Sequence, residues 1–140
     1  MSDKDFADKD TIKDILENCR IIAVVGISDN PDRPSYHVAS YMLDSGYEII
    51  PVNPSIEQVL GRKSYPDLLS IPQKVDVIDI FRRSETVGPI VDDAIKIGAK
   101  AIWLQEGIIN EEACLKAKQA GLKVVMDRCM LKEHSKMQHG

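Results

Sequence analysis

Residues 21–36 read IIAVVGISDNPDRPSY. The apolar run Ile21–Val25 predicts a strand, Gly26 a turn, and a helix begins near Ser35 after a polar loop. A strand that feeds a helix in this way aims backbone N–H groups and the positive helix end at one spot, a geometry that binds phosphate. Ser28 and Ser35 supply hydroxyls there, and Arg33 supplies a planar cationic fork suited to a diphosphate. The dinucleotide fingerprint G-x-G-x-x-G is absent, because Gly26 is the only glycine before Gly46. The loop is also longer and holds Pro31 and Pro34. A phosphate-bearing ligand fits better than an ordinary nicotinamide site. A plain strand–helix connection with a structural glycine suits the same residues.

Outward from this stretch, residues 1–8 read as a mobile polar arm and residues 9–140 as one domain. Thr11–Asn18 suits a short amphipathic helix with Ile12, Ile15 and Leu16 on one face. Helical spacing continues from Ser35 to Ser45, with Gly46 at the stop. Strands are expected at Tyr47–Val52, Val75–Ile80, Ala101–Leu104 and Lys123–Met126. Ser55–Pro72 shows no strong period beyond a turn and a short helical piece near Ser64–Leu69. A helix is expected from Ser84 to before Gly98, with Pro89 tolerable only in its first turn. Another follows Asn110 as N-cap and ends at Gly121, and a last one runs from Cys129 to Met137. Such alternation predicts an α/β chain: a single Rossmann-like, doubly wound domain with a five-stranded parallel sheet and helices on both faces. The simplest strand order is 3-2-1-4-5, with a crevice where strands one and four diverge.

At 140 residues the chain is long enough for one real core. Aromatic residues make up only 5%, so that core is aliphatic. The net charge of −4 argues against a nucleic-acid surface. The cysteines are Cys19, Cys114 and Cys129, with no C-x-x-C pair and no metal-ligand spacing. The start, MSDKDFADKD, has no apolar signal core, and no run approaches a membrane span. A cytoplasmic protein with free thiols is the expectation, and a homodimer is compatible with so short a chain.

In this architecture ligands bind beyond the C-terminal strand ends. Those ends carry Gly26, Ile27 and Ser28; Asn53 and Pro54; Phe81, Arg82 and Arg83; Gln105, Glu106 and Gly107; and Asp127 and Arg128. Asn53 stands where nicotinamide folds place an acid, so a phosphorylated ribose would not be repelled; an Asn-Pro turn also simply ends a strand. Phe81 offers a ring to a base and Arg82 a fork to a phosphate, or the triplet is a core ring beside solvated charges. Lys63, beside Arg62, is placed to meet a peripheral phosphate or is plain surface. Trp103 belongs to the core or to a subunit interface. His37, His134 and His139 fall into no catalytic pattern, and no catalytic constellation is legible.

Taken together, VVGISDNPDRPSYHVASYML, GYEIIPVNP, LGRKSYPDL, DIFRRSE, AIWLQEGIINEEA and AGLKVVMDRCMLKEH resemble the small stand-alone coenzyme A-binding proteins, which are similar to the N-terminal CoA-binding domain of the succinyl-CoA synthetase alpha subunit. The resemblance covers about Ile12 to His134. It implies a Rossmann-like domain holding CoA or an acyl-CoA at the strand ends. Gly26, Ser28, Arg33 and Ser35 match the family's diphosphate loop, and Asn53 and Pro54 the turn near the adenosine half. Phe81 and Arg82 match its strand-three motif, and Gln105, Glu106 and Gly107 its strand-four loop. Nothing here corresponds to the synthetase's phosphohistidine domain, so ligase activity is not carried over.

The expected function is therefore a CoA-binding carrier, sensor or regulatory module without chemistry of its own. Three rivals remain open: a CoA-dependent enzyme acting through Cys129, a subunit whose partner completes a site beside an exposed Trp103, and an NAD(P)-binding protein with a divergent loop.

Overall fold

The computed structural model describes residues 6–139. The strands are β1 (Ile21–Val25), β2 (Glu48–Val52), β3 (Gln58–Val59), β4 (Arg62–Lys63), β5 (Val77–Ile80), β6 (Ala101–Leu104) and β7 (Lys123–Val125). The helices are α1 (Lys9–Asn18), α2 (Pro34–Asp44), α3 (Val87–Lys96), α4 (Glu111–Gln119) and α5 (Met130–His139). The five main strands form one parallel sheet in the order β2-β1-β5-β6-β7. Apart from Asp79, its central strands are apolar on both faces, which is what helices on both sides require. One core joins the sheet to α3 and α4 through residues such as Ile78, Val91 and Cys114. The other joins it to α1, α2 and α5 through Val24, Met42, Trp103 and Met130.

The Rossmann-like class is as expected, but the strand order needs correction. Val77–Ile80, the third main strand in sequence, lies inside the sheet beside β1 and not outside β2. The outer place is held by the return of the β3–β4 hairpin, where Tyr65 forms a parallel bridge to Val52. Pro51 gives the physical reason. The backbone of residue 51 faces away from β1, and its carbonyl accepts from the Tyr65 N–H at 3.0 Å. A full strand on that side would need the N–H that proline lacks, so β2 stays near the edge. The switch point thus falls between β1 and β5.

Phe6 and Asp8, expected in the mobile N-terminal arm, are instead held in the fold. Phe6 is only 3% exposed and its carbonyl accepts from the Met126 N–H at 2.7 Å, while Asp8 caps α1. The rest of the expected arm, residues 1–5, lies outside the described residues. Trp103 is fully buried, with its indole N–H on the Arg128 carbonyl at 2.8 Å. It is a core residue, one of the two places expected for it, and the exposed strip of the partner-completed rival does not exist. α5 docks through His134, whose Nδ1 lies 2.9 Å from the Tyr41 hydroxyl. Burial pushes the His134 imidazole below its ordinary range. Among the described residues no helix is long and apolar enough to cross a membrane.

Candidate functional site

Gly26 closes β1 with φ +87°, a left-handed conformation. Its N–H donates to the Val52 carbonyl at 2.9 Å. A Cβ built on it would stand 2.5 Å from the Phe81 carbonyl oxygen and 3.1 Å from Arg82 Nε. Two constraints therefore coincide: the backbone twist favours glycine, and the guanidinium of Arg82 lies directly over the turn. Arg82 reaches this place because β5 is the neighbour of β1.

The loop beyond is held by its own side chains. Ser35, buried in the first turn of α2, accepts at Oγ from the Ser28 N–H at 2.9 Å. Ser28 Oγ accepts from the Asn30 N–H, and Asn30 Oδ1 from the Asp32 N–H. Ile27 is fully buried and anchors the turn in the core. Arg33 is the N-cap residue of α2 but makes no side-chain cap, and it is exposed. The strand–loop–helix geometry is thus as read from the sequence, while the cation over the turn is Arg82 and not Arg33.

Asn53 serves the loop as a tie. Its Nδ2 donates to the Ile27 carbonyl at 2.8 Å and its Oδ1 accepts from the Ser55 N–H at 2.8 Å. Both ends of the amide are used, so its part is to fix the loop after β2 against the loop after β1. Gln105 is buried and accepts at Oε1 from the Met130 N–H, the first residue of α5. Glu106 pairs with Lys132 at 2.9 Å. Gly107, also at φ +87°, donates its N–H to Asp127 Oδ1 at 2.7 Å. Lys63 lies exposed in the hairpin, with Nζ 5.2 Å from the Tyr65 ring centroid.

Two clefts open on either side of Arg82, which lines both. The larger, about 440 Å³, is walled by Pro34, Val38, Phe81, Ile108 and Cys129, with Gln105 and Glu106 at its edge. The smaller, about 200 Å³, lies between Val25, Val52, Pro54, Pro66, Leu68 and Ile90, with the carboxylates of Asp67 and Asp93 also lining it. Together they make a groove along the C-terminal edge of the sheet, mainly apolar in the larger arm, apolar with two carboxylates in the smaller, and cationic at the bend. Sequence reading placed Phe81, Arg82, Pro54, Gln105 and Glu106 there. It missed Val38 and Ile108, whose apolar spacing signalled only core. Arg33 and Lys63 line neither cleft. A third cleft, about 330 Å³, lies between α3 and α4; Glu85, Asp92 and Glu112 line it, and it shares no residue with the groove.

One buried polar group stands apart. Asp79, on β5 between Val24 and Trp103, is 1% exposed, and neither carboxylate oxygen has a hydrogen-bond partner. Burial pushes its carboxyl well above the ordinary carboxylate range. Of the thiols, Cys114 is pushed by burial up to about 12, and burial also raises Cys19. Cys129 alone is half-buried.

Comparison with known proteins bears on this groove. The family model described as "CoA binding domain" matches residues 20–135. The uncharacterized protein YneT of Bacillus subtilis (strain 168) is 43% identical over 127 residues, spanning 91% of this chain and 94% of that protein. A solved structure of a hypothetical protein from Pyrococcus horikoshii OT3 superposes with a TM-score of 0.90 at 44% identity, over 94% of this chain and 92% of the other. The ADP-forming acetate–CoA ligase II of Archaeoglobus fulgidus is 28% identical over 93 residues, which is 65% of this chain but only 14% of that protein.

Proposed function

The chain belongs to the CoA binding domain family, and from that premise we propose that it binds coenzyme A or an acyl-CoA along the groove at the C-terminal edge of its sheet. The observation that carries the reading is the Arg82 guanidinium lying over the Gly26 turn, where the two clefts meet.

The residues present suit such a ligand. CoA carries a diphosphate, a phosphorylated ribose, an adenine and a long, weakly polar arm. Having no Cβ, Gly26 lets the end of β5 pack directly on the turn and brings a fork-shaped cation beside it. Gly26, Ile27, Ser28 and Ser35 build this turn, and Arg33 brings a second cation to its rim. Phe81, Gln105 and Glu106 border the larger cleft, with Gly107 next in the chain, and its apolar walls suit the arm. Pro54 lines the smaller, where Arg82 stands against the carboxylates of Asp67 and Asp93, and the neighbouring Asn53 adds no further negative charge. Lys63 is left for a peripheral phosphate at long reach.

The role is that of a carrier, sensor or regulatory module. The ligase relative matches this chain over a small fraction of its length, which supports binding more than turnover. A cytoplasmic location accompanies the reading, since that is where CoA metabolites and reduced thiols coexist. The test is calorimetric titration with CoA, with NADP as competitor. Saturable CoA binding that NADP does not displace is expected. Tighter binding of NADP than of CoA would replace the reading with a divergent nicotinamide site.

A further inference from the structure

The groove contains a thiol whose chemistry the binding role leaves unused. Cys129 lines the larger cleft together with Phe81 and Arg82. The other thiols, Cys19 and Cys114, are buried in the two cores and line neither arm of the groove. Cys129 also sits at a fixed point: its carbonyl accepts from the Glu133 N–H in the first turn of α5, and the next residue is tied to Gln105. Rigid placement in a cleft is what turns an ordinary thiol into a selective one.

A second observation, independent of the cysteine, points to the reaction partner. The family match names a ligand whose reactive terminus is itself a thiol. The cleft that Cys129 lines is the apolar arm of the groove, suited to the part of the ligand that ends in sulfur.

We propose that Cys129 exchanges with the disulfide form of the ligand and so holds one CoA covalently in the groove. This rests on the CoA reading and adds redox regulation to the same site. The co-reactant is the symmetric CoA disulfide. The Cys129 thiol gives up its proton, and its sulfur attacks one sulfur of that disulfide. The old S–S bond breaks as the new one forms. One CoA thiolate leaves and takes up a proton. One disulfide and one thiol go in, and one mixed disulfide and one thiol come out, with no net change of oxidation state. Reduction by a dithiol restores the free site.

The experiment is intact-mass spectrometry of the full chain after incubation with CoA disulfide, with glutathione disulfide as comparison. The expected result is one CoA adduct per chain, mapped to Cys129, reversed by dithiothreitol and formed at a rate that saturates with CoA disulfide. Cys129→Ser should give no adduct. Arg82→Ala should slow the reaction with CoA disulfide by roughly tenfold or more, and leave that with glutathione disulfide unchanged. Equal, unsaturable reaction with both disulfides, or an adduct on Cys19 or Cys114, would overturn the proposal. So would reversible CoA binding without any adduct, which leaves the binding reading standing. Absence of both binding and adduct removes the two together.

Discussion

Gly26 and Gly107 form a matched pair that isolates the close approach at the centre of the site. Both have φ +87°, so alanine meets the same backbone strain at each. That strain costs about 1–2 kcal/mol for an L-residue. The surroundings differ. At Gly107 a Cβ meets nothing within 4 Å, whereas at Gly26 it meets the Phe81 carbonyl oxygen at 2.5 Å and Arg82 Nε at 3.1 Å. The oxygen belongs to backbone at the end of a central strand and cannot swing aside. Forcing such a shift adds about 1–3 kcal/mol to the strain. Gly26→Ala should therefore unfold roughly 3–15 °C below Gly107→Ala in a thermal scan, taking about 3–5 °C per kcal/mol for a domain of this size. The same displacement moves Arg82, so Gly26→Ala should also weaken CoA binding more than Gly107→Ala. Equal melting temperatures for the two variants would show that the β1 turn and the end of β5 do not approach as argued.

Arg82→Ala should weaken CoA binding by about 1.5–3 kcal/mol, roughly 10- to 150-fold, and exposed Arg33→Ala by about 1 kcal/mol or less; a larger loss for Arg33 in calorimetry would move the principal cation back to the α2 cap. Asp79→Asn should change the pH dependence of stability. The unfolded carboxyl ionises near 3.8, but burial makes the folded one keep its proton to higher pH. The stability is fully present below that value and is lost as pH rises, at about 1.4 kcal/mol for each pH unit over which the folded group stays protonated. Denaturant titrations at pH 5 and pH 7 should show the advantage of the asparagine variant growing with pH; parallel profiles would mean that Asp79 is ionised in the fold.

Much of this was legible in the residues, and what was not has physical causes. The β1–Gly26–α2 unit was readable because its apolar run, lone glycine and prolines act locally. The strand order was not read, although its signal was present: Pro51 marks β2 as unable to pair fully on its outer side. That error carried into the site. Whether Arg33 or Arg82 overlooks Gly26 depends on which strand neighbours β1, and that is a tertiary fact. The β3–β4 hairpin escaped because its turn is Leu60-Gly61, with Leu60 at φ 55°, and lacks the Asn-Gly signature that usually announces such a turn. Phe6 was hidden as one apolar residue in a charged stretch. Asn53 and Gln105 were located correctly at strand ends. Their hydrogen bonds show that they hold loops together, a role that spacing alone does not reveal.

The most direct test is a crystal structure of the chain grown with excess CoA. The diphosphate should lie over the β1–α2 turn beside the Arg82 guanidinium, with the pantetheine arm running toward Cys129. CoA bound at another surface, or a groove empty at saturating ligand, would contradict it.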